Sequence, residues 1–288
     1  MSTPARQPLN FPTEAAMRSF ADAPDPRLRH VMGLLVKHLH AFVAESGLSK
    51  EEWMRGLEFL TQSAAITTHE RNEFSLLSDV MGISSMVDVL SQRPDSTPSS
   101  VLGPFHNLDS RLRENGCDLT QGQPGERTWL SGRVVDAQGQ PIAGAQIDFW
   151  QNADNGLYPA QDPQQDPHNL RCKIVCQDDG SFNFLTIRPR PYTVPTDGPV
   201  GALLRASGRH CWRPAHYHFI VGAAGYASLV TELFPQDSDY IDNDTVFGVR
   251  PGLAVAFVPS DDEAVARRYG IATPFHTVRF EFRLSQQA

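Results

Sequence analysis

Two hydrophobic rhythms divide the chain. From Leu28 the apolar residues Val31, Met32, Leu34, Leu35, Leu39, Phe42 and Val43 recur mostly at three- and four-residue steps, down to a stop at Gly47. That spacing predicts an amphipathic helix with one apolar face. Ser49 with Glu52 three residues later forms a capping box, and Trp53, Leu57, Leu60 and Ala64 continue at helical spacing. A third helical segment carries Phe74, Leu77, Val80, Met81, Val87 and Leu90. The Pro- and Ser-rich QRPDSTPSS, Gln92 to Ser100, reads as a linker.

After Thr128 the period shortens to two. Leu130, Gly132 and Val134 alternate, AQGQ at Ala137–Gln140 turns the chain, and Ala143, Ala145, Ile147 and Phe149 alternate again. Further short strands are expected at Lys173–Cys176, Ser181–Thr186, His216–Val221, Ala254–Val258 and Val278–Leu284, with a late helix over Asp261–Tyr269. Asp179-Gly180 between two of these strands is a hairpin signal. Many short strands separated by Gly, Pro, Asn and Asp point to a mainly β fold: a β-sandwich behind a helical N-terminal region. The expected division is a helical region over residues 1–105 and a β-sandwich domain over 106–288. No solenoid repeat is visible.

Composition narrows the class. At 288 residues with 40% hydrophobic and 20% charged positions, the chain is an ordinary globular protein with enough length to build its own core. Its net charge of −8 argues against nucleic-acid binding and against docking on anionic lipid. Cys117, Cys172, Cys176 and Cys211 match neither a CxxC redox pair nor a zinc knuckle, so free thiols in a reducing compartment are expected. The opening MSTPARQPLNFPTEAA lacks a basic start with an apolar run, and no apolar stretch approaches the roughly 20 residues of a membrane span. The expected location is the cytoplasm.

The sharpest local chemistry is Arg213-Pro214-Ala215-His216-Tyr217-His218-Phe219. On a strand, His216 and His218 share a face about 6.5–7 Å apart along the chain, which lets both imidazoles converge on one metal. By itself an HxH is as compatible with two hydrogen-bonded histidines. Glu232 is an acidic residue that would complete a two-histidine, one-carboxylate zinc or copper site. Tyr158 in NADNGLYPA and Tyr192 in PRPYTVPTDGP both stand in Gly/Pro-rich irregular segments, where rings commonly pack over a loop with the hydroxyl on a backbone group.

Several ordered pieces resemble the intradiol ring-cleavage dioxygenases, non-haem ferric enzymes that open catechols between the two hydroxyls. They are GRVVDAQGQPIAGAQIDFWQ from Gly132, NGLY ending at Tyr158, DDGSFNF from Asp178, PYTVPTDGPVG from Pro191 and RPAHYHF from Arg213. The N-terminal helices and VLGPFHN from Val101 resemble the catechol-type branch, so the likeness runs from about residue 25 to 284. It implies Fe(III), one per subunit, held by Tyr158, Tyr192, His216 and His218. It further implies Tyr192 as a catalytic group that leaves the metal when substrate binds, and Arg213 as a fixed positive charge beside the substrate ring. Thr231-Glu232-Leu233 departs from the family, whose catechol-type members often carry a glutamine there. Glu232 stands either at the surface or beside the metal-binding groups.

EFSLLSDVMG over Glu73–Gly82 and SDYIDNDTVFGV from Ser238 resemble the hydroxyquinol-cleaving branch more than the plain catechol branch. In that branch Leu76, Asp79, Gly103, Pro104, Phe105, Val194, Pro195 and Arg213 surround the substrate. Asp79 is suited to accept a hydrogen bond from a third ring hydroxyl, or it simply sits on the polar face of its helix. The implied substrates are benzene-1,2,4-triol and O2, with catechol or a substituted catechol as the alternative. The resemblance also implies a homodimer joined through the apolar faces of the N-terminal helices, around a bound lipid. A non-catalytic alternative remains: the Gly132–Trp150 stretch is also similar to transthyretin-type and carboxypeptidase-regulatory sandwich modules, and fold does not fix function.

Overall fold

The computed structural model describes residues 12–68 and 71–287. Two compact units, Met1–Thr61 and Gln62–Ala288, are each described by themselves. In the first, α1 spans Thr13–Arg18 and α2 spans Pro26–Ser46, and α3, Lys50–Ile66, begins there. Asp25 accepts a hydrogen bond from the Arg27 amide at the start of α2, and Gly47 ends it at φ 62°, a conformation that costs glycine nothing. The capping box forms as expected: Ser49 N donates to Glu52 Oε2 and Glu52 N donates to Ser49 Oγ. No single helix among the described residues is long and apolar enough to cross a membrane.

The second unit opens with α4, Glu73–Val80, and α5, Ile83–Ser91. The sequence predicts one helical segment here. It is broken instead by a 73° bend, with Gly82 at φ 72° starting α5. The expected linker at Gln92–Ser100 is tied down, since Thr97 N donates to Arg283 O and Ser100 N to Val230 O.

The strands are β1 (Leu112–Arg113), β2 (Arg127–Asp136), β3 (Gln146–Trp150), β4 (Arg171–Val175), β5 (Ser181–Ile187), β6 (Tyr192–Thr193), β7 (Trp212–Arg213), β8 (Tyr217–Gly222), β9 (Leu229–Pro235), β10 (Ala254–Val255), β11 (Val258–Ser260) and β12 (Phe275–Leu284). Helices α6 (Pro199–Ala206) and α7 (Glu263–Tyr269) interrupt them. A six-stranded sheet, β1-β4-β3-β8-β9-β10, faces a four-stranded sheet, β11-β12-β2-β5, and β6 and β7 form a ribbon. Aromatic rings close the sandwich: Phe149 meets Phe184 at 4.7 Å and Phe219 meets Phe282 at 4.9 Å between centroids.

Two local expectations are corrected. Asp179-Gly180 does not make a hairpin, because β4 and β5 lie in opposite sheets and the turn carries the chain across the sandwich. The Ala137–Gln140 turn first folds the chain back on β2, with Val135 bridging Pro141 antiparallel, before it crosses to β3 in the other sheet. Turn residues report a reversal, whereas sheet membership is decided by which face each strand buries. The predicted strand Ala254–Val258 is likewise split between the sheets, as β10 and β11.

Candidate active site

Strand register builds the site. On β8, His218 is paired with Trp150 of β3 on one side and Glu232 of β9 on the other. In the β6–β7 ribbon, Tyr192 is the partner of Arg213. His216 stands one residue ahead of β8, yet its Nε2 lies 3.1 Å from His218 Nε2. Tyr158 is delivered by the turn after β3, where Ala153 N donates to Leu157 O and Asn152 Nδ2 donates to Arg190 O. Tyr158, Tyr192 and Trp150 form one buried cluster with Phe105 against it. Phe105 stacks on Tyr158 at 4.4 Å, and Tyr192 packs edge-on to Tyr158 at 5.5 Å and near His216 at 5.3 Å. Trp150 lies flat on the His218 ring, 4.8 Å between centroids and 4° between planes.

Hydrogen bonds set the imidazole tautomers. His216 Nδ1 donates to Pro214 O at 2.7 Å, which turns the Nε2 lone pair toward His218. Two ring nitrogens 3.1 Å apart match neighbouring ligands of one cation at about 2.0–2.1 Å each. Tyr158 Oη is buried without a hydrogen-bond partner, a position that is costly unless another group satisfies it. Burial, then the Arg213 charge and the neighbouring His218, lowers His216 well below its ordinary range. His218 is lowered to about 4 by burial, although Glu232 pulls the other way. Burial raises both phenols, Tyr158 most strongly. Neutral imidazoles and phenols waiting to ionise are the donor set of a hard, highly charged cation.

Behind the imidazoles lies a charged network that the sequence did not reveal. Arg213 is 2% exposed and Glu232 fully buried. Arg213 Nη1 and Nη2 donate to Glu232 Oε1 and Oε2 at 2.9 and 3.0 Å. Its Nε and Nη2 donate to Asp244 Oδ1 and Oδ2, both at 3.1 Å. Arg213 Nη1 also lies 3.1 Å from His216 Nε2, the nitrogen whose lone pair a bound metal would take. Four of the five guanidinium N–H groups are engaged by the two carboxylates. Although burial alone would lower it, Asp244 and Glu232 raise the Arg213 pKa well above its ordinary value. Burial alone would raise the Glu232 carboxyl, but the Arg213 charge and the hydrogen bonds from Arg213 and Ser100 hold it below the usual carboxylate range. The Ser100 hydroxyl sits 2.6 Å from Glu232 Oε2 and 2.6 Å from Gly248 O.

His216, His218 and Glu232 do converge, with ligand atoms within 4.8 Å. The Glu232 carboxylate is already taken by Arg213 and Ser100, which argues against its serving as a zinc or copper ligand. The one legible signal for its burial is a lone carboxylate inside the apolar run LVTELFP.

A cavity of about 400 Å³ adjoins the cluster, with Leu76, Asp79, Pro104, Phe105, Val194 and Pro195 in its wall. Six of the eight residues expected around substrate thus share one cavity. Gly103 and Arg213 lie outside its wall. A Cβ on Gly103, at φ 71°, would sit 3.0 Å from His218 Cε1, so its backbone is packed against the ring. Arg213 lies at the Nε2 end of His216. The sequence reading missed Arg71 and Asp197, which also border the cavity and are joined by two 2.7 Å bonds.

The fold and the site define a β-sandwich protein that gathers two histidines and two tyrosines in a buried cluster beside a small-molecule cavity. The family described as Dioxygenase matches residues 103–286, and the Catechol dioxygenase N terminus matches 25–97. The chain is 40% identical over 277 residues to a hydroxyquinol 1,2-dioxygenase from a Rhizobium species, covering 95% of this chain and 94% of the relative. Among solved structures, a hydroxyquinol 1,2-dioxygenase from Pseudomonas putida superposes with a TM-score of 0.87 at 40% identity, covering 96% of this chain and 97% of that one. A catechol 1,2-dioxygenase from Acinetobacter radioresistens gives 0.82 at 27% identity, covering 96% and 93%. The chain belongs to the intradiol ring-cleavage dioxygenase family.

Proposed function

We propose that this chain cleaves benzene-1,2,4-triol with O2 between the two adjacent hydroxyl-bearing carbons, giving 3-hydroxy-cis,cis-muconate, the enol of maleylacetate. Both oxygen atoms enter the product, so no further reductant is needed. The observation that carries the reading is the meeting of Tyr158, Tyr192, His216 and His218 beside the cavity that Asp79 lines. Those four side chains would hold Fe(III), and Fe(III) bound there would draw electron density from a bound diol, making its ring reactive to O2.

The protein's own groups do the rest. Tyr192 is followed directly by Thr193, Val194 and Pro195 of the cavity wall, which supports a role for it on the substrate side of the cluster. Its burial-raised pKa makes the phenolate oxygen a strong base, suited to take a proton from an arriving hydroxyl. Arg213 lies outside the cavity wall with its charge over-matched by Glu232 and Asp244, so its part is to hold its network against His216 and not to touch the ring. Leu76, Phe105, Val194 and Pro195 confine the ring, while Asp79 accepts from the third hydroxyl and so favours the triol over catechol. We further infer a homodimer formed through the N-terminal helices, with a lipid between them, working in the cytoplasm. Four unbridged cysteines support a reducing compartment.

An anaerobic visible titration tests the reading. Iron-loaded protein should show a broad tyrosinate-to-iron band that shifts at lower concentration with the triol than with catechol. Tyr158→Phe should lose most of its iron. A protein that stays colourless after ferric reconstitution, or a Tyr158→Phe variant with unchanged metal content, refutes the ligand set.

A further inference from the structure

Two carboxylates and one guanidinium are locked together out of water. Glu232 is fully buried, and Arg213 and Asp244 are 2% and 5% exposed. The described network holds Arg213 against two carboxylates, so its formal charge is −1. Such an imbalance is expensive in a low-dielectric interior unless a cation lies close. The surplus faces the imidazoles: Glu232 Oε1 is 3.3 Å from His218 Nδ1 and 3.5 Å from His216 Nε2. The His218 Nδ1 contact lacks hydrogen-bond alignment, and that nitrogen has no other partner.

Cross-strand pairing on the β8–β9 ladder fixes this approach, since His218 and Glu232 are register partners. Gly248 seals the far side. A Cβ there would lie 2.6 Å from Arg213 Nη2, 2.9 Å from Glu232 Oε2 and 3.0 Å from Asp244 Oδ2. Its amide donates to Asp244 Oδ2 at 3.0 Å. The network is thus held from strand, loop and backbone at once, with little freedom to relax its charge elsewhere.

We propose that Glu232 is a positioning residue of the metal centre: one carboxylate locks Arg213 in place beside His216 and presents the network's surplus negative charge to both imidazoles, tightening the hold on a trivalent cation. This rests on the ferric reading above. Asp244 carries the same formal charge and the same grip on Arg213, but it acts on the imidazoles only through space, whereas Glu232 is in ion-pair range of both. The two carboxylates therefore separate loss of the clamp from loss of the charge beside the ligands.

The test compares full-length wild type, Glu232→Gln and Asp244→Asn by ferric-citrate titration and visible spectroscopy. Replacing an outer carboxylate that supports a ligating histidine typically weakens metal affinity about 10–100-fold. Glu232→Gln should show a loss of that size, and its tyrosinate-to-iron band should move to longer wavelength, because an iron with less negative charge nearby accepts an electron more easily. Asp244→Asn should show a clearly smaller change in both. Wild-type affinity and band position in Glu232→Gln, or equal changes in the two variants, overturn the proposal. Should Glu232→Gln fail to fold, Ser100→Ala keeps every charge and only unpins the carboxylate. A smaller shift in the same direction then supports the proposal, and no shift overturns it. A colourless wild type sinks the ferric reading itself, whereas a coloured wild type with an unaltered Glu232→Gln sinks this inference alone.

Discussion

At the scale of single residues, the role proposed for Asp79 sets selectivity against stability. Burial, partly offset by Ser84 and Arg213, raises its carboxyl above the ordinary 3.8. Between 3.8 and the raised value the folded chain binds more protons than the unfolded chain, so stability falls as pH rises through that window and the penalty persists above it. Asp79→Asn should remove that slope in acid and leave the protein at least as stable at neutral pH, as read by thermal unfolding across pH. The same change should lower the triol-to-catechol ratio of kcat/KM by about 10- to 100-fold, the worth of a hydrogen bond to a charged acceptor. An unaltered ratio would show that Asp79 does not read the third hydroxyl. Gly248→Ala is a different case, since the added methyl would push directly into the Arg213 pairs. Splitting a buried ion pair costs about 3–5 kcal/mol, which a denaturant midpoint will register.

Secondary elements explain both what the sequence made legible and what it hid. Periodicity located α2 and α3, and capping residues fixed the start of α3 because each hydrogen-bonds within three residues of itself. The ordered motifs led to Tyr158, Tyr192, His216 and His218 as a set. Glu232 was not placed, because β9 lies between β8 and β10 and is buried at every position but one, leaving no alternation to read. The support of α6 was hidden for another reason: it comes from 127 residues away. Glu73, the first residue of α4, is buried and accepts from the Val200 amide at 2.9 Å, in the first turn of α6. Arg71 reaches from the same end to Asp197. Together they anchor the segment carrying Val194 and Pro195. Glu73→Ala should cost about 1–3 kcal/mol by orphaning a buried amide, and should raise KM for the triol as the cavity wall loosens. Arg71→Ala should cost less than Glu73→Ala, since Asp197 is 71% exposed in its pair and the Arg71 contact with buried Glu73 is long, at 3.4 Å. Equal losses in the two variants would contradict this ranking.

For the molecule as a whole, the apolar periodicity that predicted the N-terminal helices does not describe a filled core. No residue of α2 is buried, and Leu28, Val31, Leu34, Leu35, Leu39, Phe42 and Val43 are 41–57% exposed. On α3, Trp53, Met54, Leu57 and Leu60 are 42–52% exposed. Scattered exposed leucines need no explanation, but eleven large apolar side chains repeating along two helices form a surface that water penalises at about 25 cal/mol per Å². The sandwich already has its core in the cross-sheet aromatic pairs, so covering these helices is a separate thermodynamic problem, which the proposed homodimer would solve symmetrically. Sedimentation at micromolar concentration should therefore report twice the 31.9 kDa chain mass. The double change Leu39→Glu and Phe42→Glu places charges in the middle of the α2 face and should shift the protein to monomer. Because Tyr158, Tyr192, His216 and His218 all lie in the unit Gln62–Ala288, that monomer should keep the tyrosinate-to-iron band. A wild type that sediments as a monomer, or a double variant that stays dimeric, would assign the apolar face to something other than self-association.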